Sequence, residues 1–557
     1  VTLNPHASRA ELLQLKVAAL PATHPAGGNM KSAALGKKSI LVLAIAAQIL
    51  LLAMLTLAQS NGFVITPIVK RGDPIGDGGR FFDCDGCEGR VVGLHAFNNL
   101  GDVAIGGDTS GSCFEGRFLI SGGQSIRLAD FCQQTPFGKF GILGSVNIND
   151  RGQAALLAGV PAESGIDAAL FIYANGEMFK IVQEGDTSPI GTIFKGCGFG
   201  QPAVNNNEEV AFHACGETTG GLFSDGVFIY SRAGMNKVVV SGDRSSLGEI
   251  IINVVPAQPV QINDLGEVLF GASVLPDPMT QRDGLFVASK NGIRKIEVDG
   301  DSMPGGGFVT KRTVGNGDLN NKGDVAFSVN LTGGQSDSGI FLESGEQISK
   351  LMAEGDPSPI GGKFSPLVDP NLREDFPTPR INENGTVAFK VRVTGGSARS
   401  AIFMASTKAI IKVVAVGDRL PTGEKIRAID TFALNDLGQV AFFAYGTKAK
   451  TKPLGVYAAS PLPPTISKIK LKHKSSSLEL RVNGNGMITN DTVIEINGTA
   501  LQDLSYPLDF QENGGTTTRV VSRDARLEQL IPEGQAIQVT VYNSLTNLRG
   551  APKVFTR

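Results

Sequence analysis

The chain has 557 residues, with 51 Lys and Arg against 53 Asp and Glu, a net charge of −2, 70 Gly, 30 Phe and no Trp. This balance excludes the basic surface that nucleic acid or an anionic membrane demands, and the length leaves room for several domains. Abundant Gly with Val, Ile and Phe points to many short strands joined by tight turns.

Residues 1–29 precede Met30, and MKSAALGKKS reads as a translation start, so 1–29 are taken as a mis-called gene start. Lys31, Lys37 and Lys38 precede the apolar run SILVLAIAAQILLLAMLTLA (39–58), and TLAQS (56–60) supplies small residues for cleavage after Ala58 or Ser60. Residues 30–60 therefore read as an export signal. An uncleaved membrane anchor stays open, because about 20 apolar residues can span a bilayer. The expected location is outside the cytoplasm: extracellular, periplasmic or at the cell surface.

Beyond this segment one unit recurs seven times: NNLGDVAI (98), NDRGQAAL (149), NNNEEVAF (205), NDLGEVLF (263), NNKGDVAF (320), NENGTVAF (382) and NDLGQVAF (435). Asn tolerates a left-handed backbone and forms Asx turns, and Gly three residues on supplies positive φ, so the pair predicts a hairpin turn. V-A-F then alternates along a strand. A third strand begins at motifs such as GVFI (226) and GIFL (339), and a fourth ends in Gly-Asp. Lys180, Lys237, Lys295, Lys350 and Lys412 begin that fourth strand, where Lys blunts edge pairing or is simply solvated.

Four strands in about 57 residues, seven times over, predict a seven-bladed β-propeller over 62–460. An open solenoid and two stacked sandwiches are the alternatives. The last copy ends at GVYAAS (455–460) without a fourth strand, whereas ITPIVKRGD (65–73) is a surplus one, so the N-terminal strand is expected to close the ring. The pattern resembles an exported bacterial family of tandem NxxGxxAF repeats. That resemblance implies fold and export; the family's function is unknown and it supplies no catalytic residues.

SPLPPT (460–465) is a Pro-rich break, with 461–464 read as a linker. Alternating runs from ISKIKL to AIQVTVYN predict an immunoglobulin-like sandwich over 465–557. Their order is similar to the IPT/TIG group, which implies a spacer or binding module.

Export favours disulfides over metal sites for the six cysteines. Cys197 and Cys215 flank the turn at 205–208 symmetrically, Cys113 and Cys132 flank 121–124, and Cys84 and Cys87 remain. The expected pairs are Cys84–Cys87, Cys113–Cys132 and Cys197–Cys215, with Cys84 or Cys87 to Cys113 as runner-up. A redox or zinc role for the C-x-x-C lacks a His cluster beside it. Asp83, Asp85 and Glu88 alternate as in calcium loops, but the loop is too short and lacks the closing Glu. No cofactor is expected beyond a calcium ion there. His95, His213 and His473 stand alone in sequence; His213, inside VAFHA, reads as a satisfied structural residue. No G-x-S-x-G turn marks a nucleophile.

Asp73, Asp130, Asp186, Asp243, Asp301, Asp356 and Asp418 recur once per unit. Each is expected to cap its own turn; an acidic ring at a channel mouth is the alternative. Arg71-Gly72-Asp73 contains the adhesion tripeptide, yet its Gly-Asp belongs to this series and its Arg to a variable position.

The preferred functional reading is a non-enzymatic interaction or scaffold protein binding another protein or an extracellular polymer. No nucleic acid is expected as partner, and no membrane beyond the N-terminal segment. The alternatives are a propeller enzyme, a hydrolase or lyase, with its site at the channel mouth or on the first unit near Asp83, Asp85, Glu88 and Asp108, and a membrane-anchored surface protein.

Overall fold

The computed structural model describes residues 62–557 except 76–78, 83–92, 111–114, 164, 219, 222, 255–258, 311–315, 368–377, 475–476, 502–507 and 514–515. The export segment, Asp83, Asp85, Glu88, Cys84, Cys87 and Cys113 lie outside the described residues. The described residues fall in one compact unit, Ala58–Arg557. They are nearly all strand, with one short helix at Leu527–Leu530. No described helix is long and apolar enough to cross a membrane.

Seven antiparallel sheets follow one another between residues 63 and 461, each four strands deep. In the sixth, Ile410–Ala415 is outermost, then Ser400–Ala405, then Val387–Thr394, with Lys363–Phe364 and Arg380–Ile381 sharing the inner edge. The V-A-F residues divide their work by the strand's two-residue period. Phe327 sits opposite Phe341 across its hairpin and stacks on it at 5.8 Å, as Phe389 does on Phe403 at 5.9 Å. The intervening Ala faces the next sheet: Ala326 packs with Phe364 and Val391, and Ala441 with Phe118 and Ile105. A larger side chain there would push two sheets apart.

The arrangement is propeller-like and closed. Inner strands touch in an unbroken cycle, the last, Ala428–Leu434, meeting the first, Gly93–Phe97. At the seam, Phe63–Lys70 adds to the edge of Pro453–Pro461, from Phe63 opposite Pro461 to Lys70 opposite Gly455. Phe63 and Ile65 enter the core holding Phe442 and Tyr457, while Val69 joins that of Val456 and Phe443. Each fully buried side chain of this size contributes about 1.5–3 kcal/mol, so the seam is held by apolar burial as well as by its ladder.

After Pro461 the chain builds two further sheets. Thr465–Lys474, Ser477–Met487, Thr516–Ser522 and Asp509–Asn513 form one; Thr499–Ala500, Thr492–Ile496, Ala536–Asn543 and Leu548–Arg549, with Lys553–Thr556, form the other. Leu480, Val482, Val520, Ile494, Ile496, Val539 and Val541, drawn from both, share one core.

Candidate functional site

The repeated Asn makes the turn and also ties the ring. The Asn263 side-chain oxygen accepts the N–H groups of Leu265 (3.0 Å) and Glu267 (2.9 Å), closing its own turn. Its amide nitrogen donates to Glu267 and to the backbone carbonyl of Asn320, the corresponding residue one repeat on, at 3.0 Å. The same link runs from Asn98 to Asn149, Asn149 to Asn205, Asn205 to Asn263, Asn320 to Asn382, Asn382 to Asn435 and Asn435 back to Asn98, at 2.9–3.4 Å. Only a side chain with both an acceptor and a two-proton donor can do this, which is why Asp does not serve.

The next residue of each repeat forms a second closed ring. Asn99, Asp150, Asn206, Asp264, Asn321, Glu383 and Asp436 each donate a backbone N–H to the side chain of the following member, and Asp436 to Asn99, at 2.6–2.8 Å. Amide and carboxylate alternate. Asn99 bridges Asp150 and Asp436, and Asn206 bridges Asp150 and Asp264. Seven is odd, so strict alternation cannot close; the break falls where Glu383 meets Asp436. These ring members are half-buried. The alternation is visible in the sequence as N-D-N-D-N-E-D, but no local motif marks it as a site.

Polarity on the inner strands is concentrated beside that break. Two residues before each ring Asn stand Ala96, Asn147, Ala203, Gln261, Asp318, Arg380 and Ala433. Asp318 and Arg380 are the charged ones, and they sit on the fifth and sixth sheets. The Asp318 carboxylate accepts the Ile381 N–H at 3.0 Å. Burial raises its pKa, Arg380 opposes this and Asp436 adds to it. Burial likewise raises Glu383, opposed by the Asn321 N–H and reinforced by Asp436 and Asp264. Three carboxyls from consecutive sheets thus share one electrostatic environment, two of them pushed toward the protonated form.

The C-terminal sheets border this sector. Thr386, four residues after Asn382, donates its hydroxyl to the Leu545 carbonyl at 2.7 Å, and Asn547 donates to Asn384 at 3.4 Å. Other repeats carry Asp, Glu or Gln at the Thr386 position. In those repeats the side chain accepts from its own turn Asn.

The Gly-Asp carboxylates lie at the other end of the inner strands: the Gly355 N–H donates to the Phe364 carbonyl and the Phe364 N–H to the Asp356 carbonyl, and the turns of Asp73, Asp186, Asp243, Asp301 and Asp418 are bonded in the same way. Asp73, Asp186, Asp243, Asp301, Asp356 and Asp418 each accept the backbone N–H three residues earlier, at 2.7–3.0 Å. Asp130 instead accepts from Cys132 and Gln133 and pairs with Arg127. Lys237, Lys295, Lys350 and Lys412 reach the Asp six residues on, at 2.9–3.0 Å. Lys180 turns to Gln183 instead. These lysines do more than shield an edge: they neutralise the turn carboxylates.

Of the other candidates, Asp108 is buried in Val103–Ser110 opposite Glu115. His95 accepts the Val146 N–H at 3.4 Å across two sheets; burial and Arg117 lower its pKa to about 3, so it is neutral. His473 lies on Thr465–Lys474, opposite Leu478. His213 departs from the expected satisfied residue, because its Nε2 has no hydrogen-bond partner. Cys197 and Cys215 are joined. Cys132 is disulfide-bonded, while the expected pairs Cys113–Cys132 and Cys84–Cys87 fall outside the described residues. A cavity of about 480 Å³ lined by Lys70, Arg71, Thr422, Glu424, Lys452 and Tyr457 opens at the seam. It lies at the Gly-Asp end, away from the carboxyl sector, and contains the Arg of the Arg-Gly-Asp sequence.

Solved structures similar to the chain include a Hadza microbial sialidase, Hz136, at 10% identity and TM-score 0.29, covering 65% of this chain and 73% of that one. An uncharacterised protein of Listeria monocytogenes EGD-e matches at 11% and 0.33, covering 65% and 93%. The GH43_1 enzyme from Xanthomonas citri complexed with xylose matches at 11% and 0.24, covering 63% and 90%. Two of these three are named as enzymes, so the expected non-enzymatic interaction or scaffold protein is not borne out. At these scores the likeness assigns no substrate and no catalytic residue. No curated protein matches the chain. A family profile matches residues 52–372 and 335–524, and the chain accordingly belongs to the family of unknown function DUF7453.

Proposed function

We propose that the chain is a hydrolase, built as an exported seven-bladed β-propeller with an immunoglobulin-like C-terminal module, whose acid–base groups are Asp318, Glu383 and Asp436. The observation that carries this reading is local asymmetry. A structural need recurs in every repeat, whereas Asp318, Arg380 and the Glu383–Asp436 junction occur once, on adjacent sheets, and converge.

The chemistry suits splitting an acetal or similar bond by water. A carboxyl held protonated near neutral pH donates to the leaving oxygen, while an ionised neighbour activates water or stabilises positive charge. The raised pKa values of Glu383 and Asp318 suit the donor role, Asp436 is the neighbouring carboxyl, and Arg380 offers a fixed donor for substrate oxygens. The absence of Trp argues against broad aromatic stacking platforms, so recognition rests on hydrogen bonds from the ring amides.

The test is turnover of aryl glycosides and soluble polysaccharides by the protein lacking residues 1–60, alongside Glu383→Gln, Asp318→Asn and Asp436→Asn. Expected are hydrolysis by the parent with a bell-shaped pH profile, and at least about a 100-fold loss of kcat in Glu383→Gln with an unchanged circular dichroism spectrum. Hydrolysis that all three variants retain would overturn the assignment, and no turnover on any substrate would overturn the activity.

A further inference from the structure

The third sheet carries a group that the proposed hydrolase does not use. Cys197 and Cys215 are disulfide-bonded, and a ring nitrogen of His213 lies with both sulfurs inside 4.8 Å. His213 is 2% exposed, and its Nε2 has no hydrogen-bond partner. Its hydrogen bond to the Val254 backbone therefore uses Nδ1. An imidazole hydrogen-bonded to backbone, with a ring nitrogen close to two sulfurs, resembles the arrangement metal-ligating histidines use.

The surrounding backbone provides the freedom that such a site needs. Between Phe194, opposite Gly216, and Phe199, opposite Ala214, residues 195–198 face Cys215 alone. Gly196 and Gly198 flank Cys197 at φ of 99° and 67°. The bulge lifts Cys197 to the surface while Cys215 stays on the strand beside His213. Two sulfurs binding one metal at about 2.3 Å each must stand farther apart than in a disulfide, and this glycine-flanked loop can give that separation without disturbing the ladder.

We propose that, once the Cys197–Cys215 bond is opened by a thiol reductant, Cys197, His213 and Cys215 form a site for one soft or borderline cation of the zinc(II) or copper(I) class. Reduction consumes two electrons and two protons, oxidising the reductant's two thiols to a disulfide. Metal binding then releases the two thiol protons. A Cys2His set selects such cations over calcium or magnesium. Asp225 is cross-strand from Cys215 and is held by Ser241 and Val254, which places a negative charge beside the site.

The experiment titrates cobalt(II), then competing zinc(II), into the anaerobic protein lacking residues 1–60, before and after treatment with a dithiol that is then removed. Expected are no thiolate-to-cobalt band in the oxidised protein, a band saturating with His213-dependent stoichiometry in the reduced one, and at least a 10-fold weaker zinc affinity in His213→Ala. Cys197→Ser should abolish that His213-dependent component. Binding through the other cysteines would not respond to His213, so equal affinity in reduced parent and His213→Ala overturns the proposal. Loss of the strand circular dichroism signal on reduction also overturns it, because the site requires the folded hairpin.

Discussion

Asn435 donates its side-chain amide to the backbone carbonyl of Asn98, 3.2 Å away and 337 residues earlier in the chain. The bond has six counterparts, and together they turn a local turn-forming residue into a closed belt. Each Asn is nearly fully buried, so its removal leaves backbone donors without partners and takes one of two hydrogen bonds from the next repeat's carbonyl.

Replacing Asn263 therefore tests whether the belt matters beyond its turn. Asn263→Ala loses both functions and is expected to cost about 3 kcal/mol. Asn263→Asp keeps the acceptor but sets a carboxylate against Glu267 and the Asn320 carbonyl, and is expected to be no better. Urea unfolding gives the values; an unchanged midpoint for Asn263→Asp would show that the inter-repeat bond contributes nothing.

Removing the seam strand should affect the whole ring. A chain starting at residue 71 loses the burial of Phe63, Ile65 and Val69 and bares the Pro453–Pro461 edge. Expected are a markedly lower melting temperature and concentration-dependent aggregation in light scattering. Normal melting would mean that the first and last sheets hold together without it.

The Gly-Asp turns predict a graded series. Asp418 is paired with Lys412, which is only 10% exposed, and accepts the Ala415 N–H; Asp418→Ala should cost about 2 kcal/mol. Asp186 keeps its backbone bond, but Lys180 goes to Gln183, so Asp186→Ala should cost less and respond less to salt. Equal losses in high and low salt would remove the lysines from the account.

Two groups make opposite predictions about pH. His95 is neutral when folded, with its pKa lowered to about 3. The unfolded chain takes up a proton below about 6.5, so this contribution is present above that pH and fades as pH falls toward 3. Glu383 is raised when folded, so the unfolded chain ionises first and stability declines as pH climbs through that window. Melting curves should show a shallower acid limb for His95→Asn. Glu383→Gln, if Glu383 is the acid proposed above, should melt at or above the parent at pH 7 while losing activity. A less stable Glu383→Gln would make that residue structural.

The repeats were legible because turns and strands are local: Asn with Gly three residues on fixes a backbone conformation, and V-A-F alternates by strand geometry alone. The Cys197–Cys215 pairing was legible for the same reason, both residues belonging to one hairpin. The carboxyl sector was not. Asp318, Arg380, Glu383 and Asp436 span more than a hundred residues and share no motif, and each looks like an ordinary variation within its own repeat. Their significance depends on which sheets are neighbours.

By itself the sequence determined the repeat, the strand alternation and the polar residue after every turn Asn, since these follow from torsional preference and side-chain period. Tertiary structure decided that the turns would join into two hydrogen-bonded rings, and that an odd number of members would set two like members side by side, here Glu383 and Asp436. It also decided that His213 would face a disulfide with a nitrogen to spare. Those outcomes depend on long-range contacts, where burial and charge act between residues that the chain order keeps apart.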